Sequence, residues 1–327
     1  VEGLAMNKEL PVLDVVRTAG DVLIGLKAEI GSDGFQRQLD DDHWVTFIGR
    51  GPNLLVTFEP LENTLATDES GLPLGMDFVE DKGWSLLHFS NRTESWFRSP
   101  AMYEFLDEMV DDCFFEDFDK VTFYGAGTSG YAAAAFSVAS PGANVIVIRP
   151  QATLDTEKAG WDHRYPEARR LKFSDRYGYA PDMLEGAGLA VVIYDPIEHL
   201  DAVHASLFQG VNVLRLKCRY MRDTIDLSLN QMEVLHRCIE MTSEGKLTAE
   251  VFYKMLRVRR NHSRYLRSFM FYVDREQQTL RTAVVCAHVL QRINGPAFRR
   301  KLAAARDKLA AKGKLPEWLL NYEVPED

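Results

Sequence analysis

Seven short apolar runs constrain this chain more than any other feature. They are Val45 to Ile48, Leu54 to Phe58, Trp84 to Phe89, Lys120 to Tyr124, Asn144 to Ile148, Leu189 to Tyr194 and Val211 to Lys217. Each is rich in Val, Ile, Leu or Phe, the pattern of strands buried on both faces. The first two are separated only by Gly49-Arg50-Gly51-Pro52-Asn53, which predicts a hairpin connection. The later runs stand 16 to 40 residues apart, room for the helical crossovers that parallel pairing requires. Helical periodicity fills the gaps: Pro100 to Asp112 repeats apolar residues at Met102, Phe105, Leu106 and Met109, and Tyr131 to Val138 is rich in small residues. An antiparallel start followed by strand-helix alternation predicts an α/β fold, a mainly parallel sheet covered on both faces.

Residues 7 to 43 read as a helical lead-in that closes on the acidic turn Asp40-Asp41-Asp42, a solvated loop in a position without calcium-loop spacing. From about Leu229 the strand signal stops and helical periodicity runs to Leu320. The chain thus divides into a lead-in (1–44), an α/β core (45–228) and a helical C-terminal region (229–327). Four cysteines, Cys113, Cys218, Cys238 and Cys286, form no C-x-x-C pair. No metal site or disulfide framework is expected, and a reducing cytoplasm is. Val1 to Ala5 read as residues added ahead of a start at Met6, with no basic-then-apolar signal pattern.

The formal charge of −10 argues against a generic nucleic-acid binder. It is unevenly spread. Lys254 to Lys314 holds 16 Lys plus Arg against three acids, +13, which leaves −23 for the remainder. The basic helices therefore have three candidate partners: the chain's own acidic portion, a second copy, or another anionic molecule.

Lys120 to Ser137 is the most informative segment, a strand running through a glycine turn into an alanine-rich helix. Gly125-x-Gly127-x-x-Gly130 fits a dinucleotide fingerprint, in which close backbone approach and a helix N-terminus receive a pyrophosphate. Arg149, at the end of the next strand, would then favour a 2′-phosphate. The same turn fits a nucleophile elbow. Tyr124-Gly125-Ala126-Gly127-Thr128-Ser129-Gly130-Tyr131-Ala132-Ala133, followed by Arg149-Pro150-Gln151-Ala152-Thr153-Leu154-Asp155 and Trp161, resembles an α/β-hydrolase subfamily often seen with surface-glycan genes. In that subfamily the turn reads roughly Y-G-S-S-M-G-G-Y-A-A and the next strand ends in a PQ-x-x-L-D stretch.

The resemblance covers about residues 45 to 217 and implies a pocket lined by the turn. Gly125, Gly127, Thr128, Ser129, Gly130, Tyr131, Gln151 and Trp161 are its candidate ligand-binding residues. Set against the family's chemistry, three parts are missing. Gly127 falls on the nucleophile position and has no side chain to attack with. No histidine lies between Lys217 and His236 to take a serine proton. Pro60 follows Glu59 where the family's loop donates an oxyanion N–H.

Ser129, Asp195 and His204 remain as catalytic candidates. Asp195 follows its strand where the family's triad acid lies, and Asp201-x-x-His204 repeats a D-x-x-H pattern of the same relatives. Each also has a plain role open to it, Asp195 capping a turn before Pro196 and His204 anchoring a helix. The expected protein is an α/β-hydrolase-like binder of a small polar or anionic ligand, or an interaction scaffold, with no resident cofactor. A phosphate-cradling enzyme and a residual esterase through Ser129 stand as alternatives.

The whole sequence is also similar to alphaproteobacterial proteins labelled phosphoadenosine phosphosulfate reductase. It carries neither the serine-glycine pyrophosphate loop of such reductases nor their C-terminal Cys-Gly-His arrangement. Cys286-Ala287-His288 sits instead in an apolar helical setting. Trp161 to Tyr179, aromatic and charged, reads equally as a ligand-gripping insertion or a roof over the sheet.

Overall fold

The computed structural model describes residues 18–67, 71–293 and 295–322. Its eight strands are β1 (Phe35–Gln38), β2 (His43–Ile48), β3 (Asn53–Pro60), β4 (Ser85–Asn91), β5 (Lys120–Ala126), β6 (Asn144–Ile148), β7 (Ala190–Tyr194) and β8 (Val213–Lys217). They form one sheet in the order β1-β2-β4-β3-β5-β6-β7-β8. β1–β2 and β2–β4 are antiparallel, and every pair from β4 onward is parallel. This is the α/β-hydrolase-like sheet with an antiparallel start.

Strand side chains alternate between two cores, as a period of two requires. Val45, Leu54, Val56, Leu87, Phe123, Val145 and Val192 face one core. Ile48, Leu55, Leu86, Ile146, Val191 and Leu216 face the other. Ten helices of the body, numbered in chain order, cover the sheet. α1 (Ala19–Ala28), α2 (Leu61–Thr67) and α3 (Gly75–Lys82) precede α4 (Pro100–Asp111), whose predicted stripe Met102, Phe105, Leu106 and Met109 is buried. α5 (Thr128–Phe136) lies close on the sheet because Ala132 to Ala135 are small and fully buried. α6 (Thr156–Ala159) and α7 (His199–Leu207) follow, and then α8 (Ile225–Gln231), α9 (Val234–Ser243) and α10 (Ala249–Met255) pack on the second core. A third core belongs to α11 (Ser263–Arg275), α12 (Thr279–Leu290), α13 (Pro296–Ala311) and α14 (Glu317–Leu320), built on Leu266, Met270, Cys286, Phe298, Leu302 and Leu309. In the basic stretch from Lys254 to Lys314, Arg257, Arg260 and Arg267 are exposed and pair with no carboxylate among the described residues. No helix among the described residues is long and apolar enough to cross a membrane.

Three local expectations change. β2 and β3 do not form a hairpin, because β4 lies between them. Their linker is fastened to β4 instead: the Ser85 hydroxyl accepts from the Arg50 and Gly51 N–H groups and donates to the Gly51 carbonyl. The lead-in is helical only in α1 among the described residues, and Phe35–Gln38 adds an edge strand, while residues 1–17 lie outside the described residues. The acidic turn is a clamp as well as a loop. Asp40 accepts from the backbone N–H groups of Asp42 and His43, and Asp42 accepts from the Thr93 N–H and hydroxyl. No His, Cys, Asp and Glu cluster among the described residues could hold a metal.

Candidate functional site

The chain runs from β3 to β4 on one side and from β5 to β6 on the other, and β3 and β5 are neighbours. The strand order therefore reverses between their carboxyl ends, the place where open α/β sheets leave a crevice for a ligand. A cleft of about 390 Å³ lies there, bordered by Glu59 and Pro60 at the end of β3 and by Ala126 and Gly127 at the end of β5.

The glycine turn forms one wall, and its three glycines have different reasons to be there. A Cβ on Gly125 would stand 2.1 Å from the Ser129 carbonyl oxygen, and one on Gly130 would press on the carbonyls of Gly125 and Ile148 at 3.2 and 3.3 Å. These two allow the helix to start directly against the strand. Gly127 differs. Its φ of 60° and ψ of −124° are strained for any side chain, yet a Cβ there would meet open space, with only the Arg149 Nη2 at 4.0 Å. The elbow backbone is thus intact, and its apex points a bare Cα into the cleft. The first closing bond of α5 runs from the Tyr131 N–H to the Gly127 carbonyl at 3.2 Å. The N–H groups of Thr128, Ser129 and Gly130 therefore have no intrahelical acceptor and give this end a partial positive charge.

Arg149 faces this helix end across the cleft. Its φ is 50°, an uncommon value for a side-chain-bearing residue. Its guanidinium meets Asp226 only loosely, at 3.8 Å, and its Nε is buried with no partner among the described residues. A guanidinium with spare donors opposite a helix N-terminus suits a carboxylate or phosphate oxygen. The remaining walls mix acidic and aromatic side chains, Glu94, Asp223, Asp226, Tyr124 and Tyr165, with the neutral polar Thr224 and Asn230 and the aliphatic Leu74, Leu227 and Leu235. Burial pushes the Glu59 carboxyl up to about 7, with the Thr64 hydroxyl opposing the shift and the charge of Asp226 adding to it. Near neutral pH Glu59 can thus donate as well as accept a proton. Burial also holds the Tyr124 phenol well above its ordinary value, so it stays neutral.

Of the candidate ligand-binding residues, Gly127, Thr128 and Ser129 line the cleft. The others do not. Gly125 and Gly130 are packed against backbone behind it. The buried Tyr131 hydroxyl accepts from Arg98 at 2.7 Å and donates to the Tyr177 carbonyl at 2.6 Å. Gln151 donates to the Arg149 carbonyl and to Tyr165, which props Arg149 without reaching the cleft. Trp161 donates to the Lys158 carbonyl and lays its ring 4.5 Å from that of His204. The insertion is mainly a roof: Phe173 and Tyr177 pack on Trp96, Tyr131 and Phe136, and within it Tyr165 alone borders the cleft.

The catalytic candidates are not brought together. Ser129 is 2% exposed, and among the described residues its Oγ has no partner and no histidine borders the cleft. Asp195 accepts from the Ile197 N–H at 2.9 Å and the Arg222 N–H at 2.8 Å, holding two loops together. His204 accepts from the Ala152 N–H through Nδ1 and donates to Asp162 through Nε2 at 3.0 Å. Arg164 bridges Asp162 to Asp201. Burial lowers the His204 pKa against the pull of Asp162, so the ring is a neutral anchor between α7 and the insertion. The site residues that the motif concealed are Glu59 and Asp226, while Arg149, expected from the sequence to receive a 2′-phosphate, does border the cleft. Glu59 carried a positional signal, since it sits at the end of β3, one of the two strands flanking the reversal of strand order.

No protein-family description matches the chain, and no curated protein matches it. Among solved structures, carboxyl esterase 2 of the mycorrhizal fungus Tuber melanosporum is 10% identical over 67% of this chain and 86% of its own, with a TM-score of 0.42. The capsule O-acetyltransferase of Neisseria meningitidis serogroup A is 9% identical over 65% of this chain and 99% of its own, with a TM-score of 0.41. An alpha-beta serine hydrolase homologue from Coxiella burnetii is 11% identical over 67% and 99%, with a TM-score of 0.37. The likeness is one of fold and brings no reaction with it.

Proposed function

We propose that this α/β-hydrolase-fold chain uses its elbow cleft to bind, without covalent attack at the elbow, a small polar ligand carrying one anionic group. The observation that carries this is the Arg149 guanidinium, 4.0 Å from where a side chain of Gly127 would begin, across from the free N–H groups of α5. The buried, unpartnered Ser129 Oγ adds a further polar contact. Because Glu94, Asp223 and Asp226 also border the cleft, the ligand carries hydroxyl or amino donors as well; a hydroxy- or amino-carboxylate satisfies both. Calorimetric titration with acetate, lactate and glycine tests this. One saturable site that weakens at least tenfold in Arg149→Gln supports it, and no saturable binding of any of the three counts against it.

A second reading is favoured by Glu59, whose carboxyl titrates near 7 in the same cleft. There it would act as general acid or base on the bound ligand. An esterase reaction through Ser129 draws less support, because the hydroxyl has no base beside it. The reductase label draws none from the cysteines: Cys286 lies fully buried in the third core, its thiol pushed up to about 12. The basic helices remain a proposed contact surface for an anionic partner or a second copy.

A further inference from the structure

Outside the elbow cleft, a serine, a histidine and a carboxylate lie in hydrogen-bonded series. His43, the first residue of β2, is 2% exposed. Its Nδ1 lies 2.8 Å from Asp40 Oδ1 and 3.0 Å from Oδ2, and its Nε2 lies 2.7 Å from Ser95 Oγ. A carboxylate only accepts, so the Asp40 contacts place the proton on Nδ1 and leave Nε2 as the acceptor of the Ser95 hydroxyl. The Asn91 amide donates to the same Oγ at 3.0 Å, which commits the serine's own hydrogen to His43. Asp40 is fixed in turn by the Ser99 hydroxyl and two backbone N–H groups. Asp42 stands 3.7 Å from Nε2, where it would steady an imidazolium.

The backbone beside Ser95 is unusual as well. Trp96 and Phe97 both hold positive φ, 59° and 55°, with large side chains that are fully buried. Their backbone N–H groups make no hydrogen bond to any described residue. Strain of this kind needs a compensating reason, and free donors next to a nucleophile are what a developing oxyanion uses. Ser95 itself keeps partial exposure, and its neighbour Glu94 borders the elbow cleft.

We propose that Ser95, His43 and Asp40 form a nucleophilic triad displaced from the elbow, acting on acyl esters. As Ser95 Oγ bonds to the acyl carbon, its proton passes to His43 Nε2. The carbon–oxygen bond to the leaving alcohol then breaks, and His43 returns the proton to that alcohol. Water repeats the two steps on the acyl-serine and releases the acid. Asp40 and Asp42 place negative charge around His43, so uncharged esters are the substrate class.

A fluorophosphonate probe with peptide mapping tests this on the intact chain. Ser95 displaces fluoride from the probe in the wild type, Ser95→Ala abolishes that adduct, and Asp40→Asn slows it at least tenfold. The wild-type map alone fixes the nucleophile's position, so the result stands even where a His43 variant does not fold. Absence of an adduct on Ser95 in the folded wild type, or equal rates in wild type and Asp40→Asn, overturns the proposal and leaves the three residues as a clamp between β2 and the segment after β4.

Discussion

Two serines in this molecule lie next to uncommon backbone, and they differ in what surrounds them. Ser129 stands in the glycine turn, the segment whose sequence most suggests a nucleophile, and its hydroxyl touches no base. Ser95 follows β4 in a stretch with no recognisable motif, and its hydroxyl meets His43 at 2.7 Å with Asp40 behind. The elbow turn presents its serine to no base, while the β4 exit holds a serine, a histidine and a carboxylate in hydrogen-bonded series without the motif. Reactivity follows from which groups are held in contact, and a motif records only the path of the chain.

Substitutions can sharpen that contrast, beginning with the elbow itself. Gly125→Ala drives a methyl into the Ser129 carbonyl and is expected to cost about 4 kcal/mol or more, read as loss of soluble protein or a collapse of the melting temperature. Gly127→Ala, two residues on, meets open space and strains only the backbone, for about 1–2 kcal/mol by denaturant unfolding. Equal costs would mean that the turn does not have the elbow geometry.

Next come the two serines. Ser95→Ala leaves the His43 Nε2 and an Asn91 N–H without their shared partner, an expected loss of about 1–2 kcal/mol. Ser129→Ala removes a buried hydroxyl that had no partner and should stay within about 0.5 kcal/mol of wild type. A larger loss at Ser129 than at Ser95 would reverse the comparison.

The smallest expected effect concerns pH. Folding raises the Glu59 pKa from its ordinary 4.5 to about 7, so the native state binds more protons than the unfolded chain between those values. Stability is therefore undiminished below about 4.5 and is lost progressively as pH rises through about 7. Glu59→Gln should flatten the fall in melting temperature between pH 5 and 8. Identical pH profiles for the two proteins would show that Glu59 does not titrate in this range.

Much of the architecture was legible because burial writes a period into the sequence. The seven apolar runs became strands, and Met102, Phe105, Leu106 and Met109 became the buried stripe of α4. β1 was not legible, since Phe35–Gln38 carries Gln, Arg and Gln on a half-exposed edge. The insertion of β4 between β2 and β3 escaped detection because pairing partners leave no local trace; Ser85 holding the linker is a tertiary contact.

The site was half legible. The glycine turn marked the cleft's position, through Gly127, Thr128 and Ser129, but nothing in Gln151 or Trp161 betrays that each turns away to a carbonyl. Glu59 and Arg149 acquire their character only when β3 and β6 deliver them to the same crevice. His43 and Ser95 lie 52 residues apart and meet only through the antiparallel pairing of β2 with β4.

The proposal that the elbow cleft binds an anionic group rests on Arg149, and calorimetry addresses it directly. Glycine, lactate and acetate are titrated at pH 6 into the wild type and into Arg149→Gln, with circular dichroism confirming that both are folded. One-site binding in the wild type, weakened at least tenfold in the variant, is the expected result. No binding to the wild type, or equal affinity in both proteins, would contradict it.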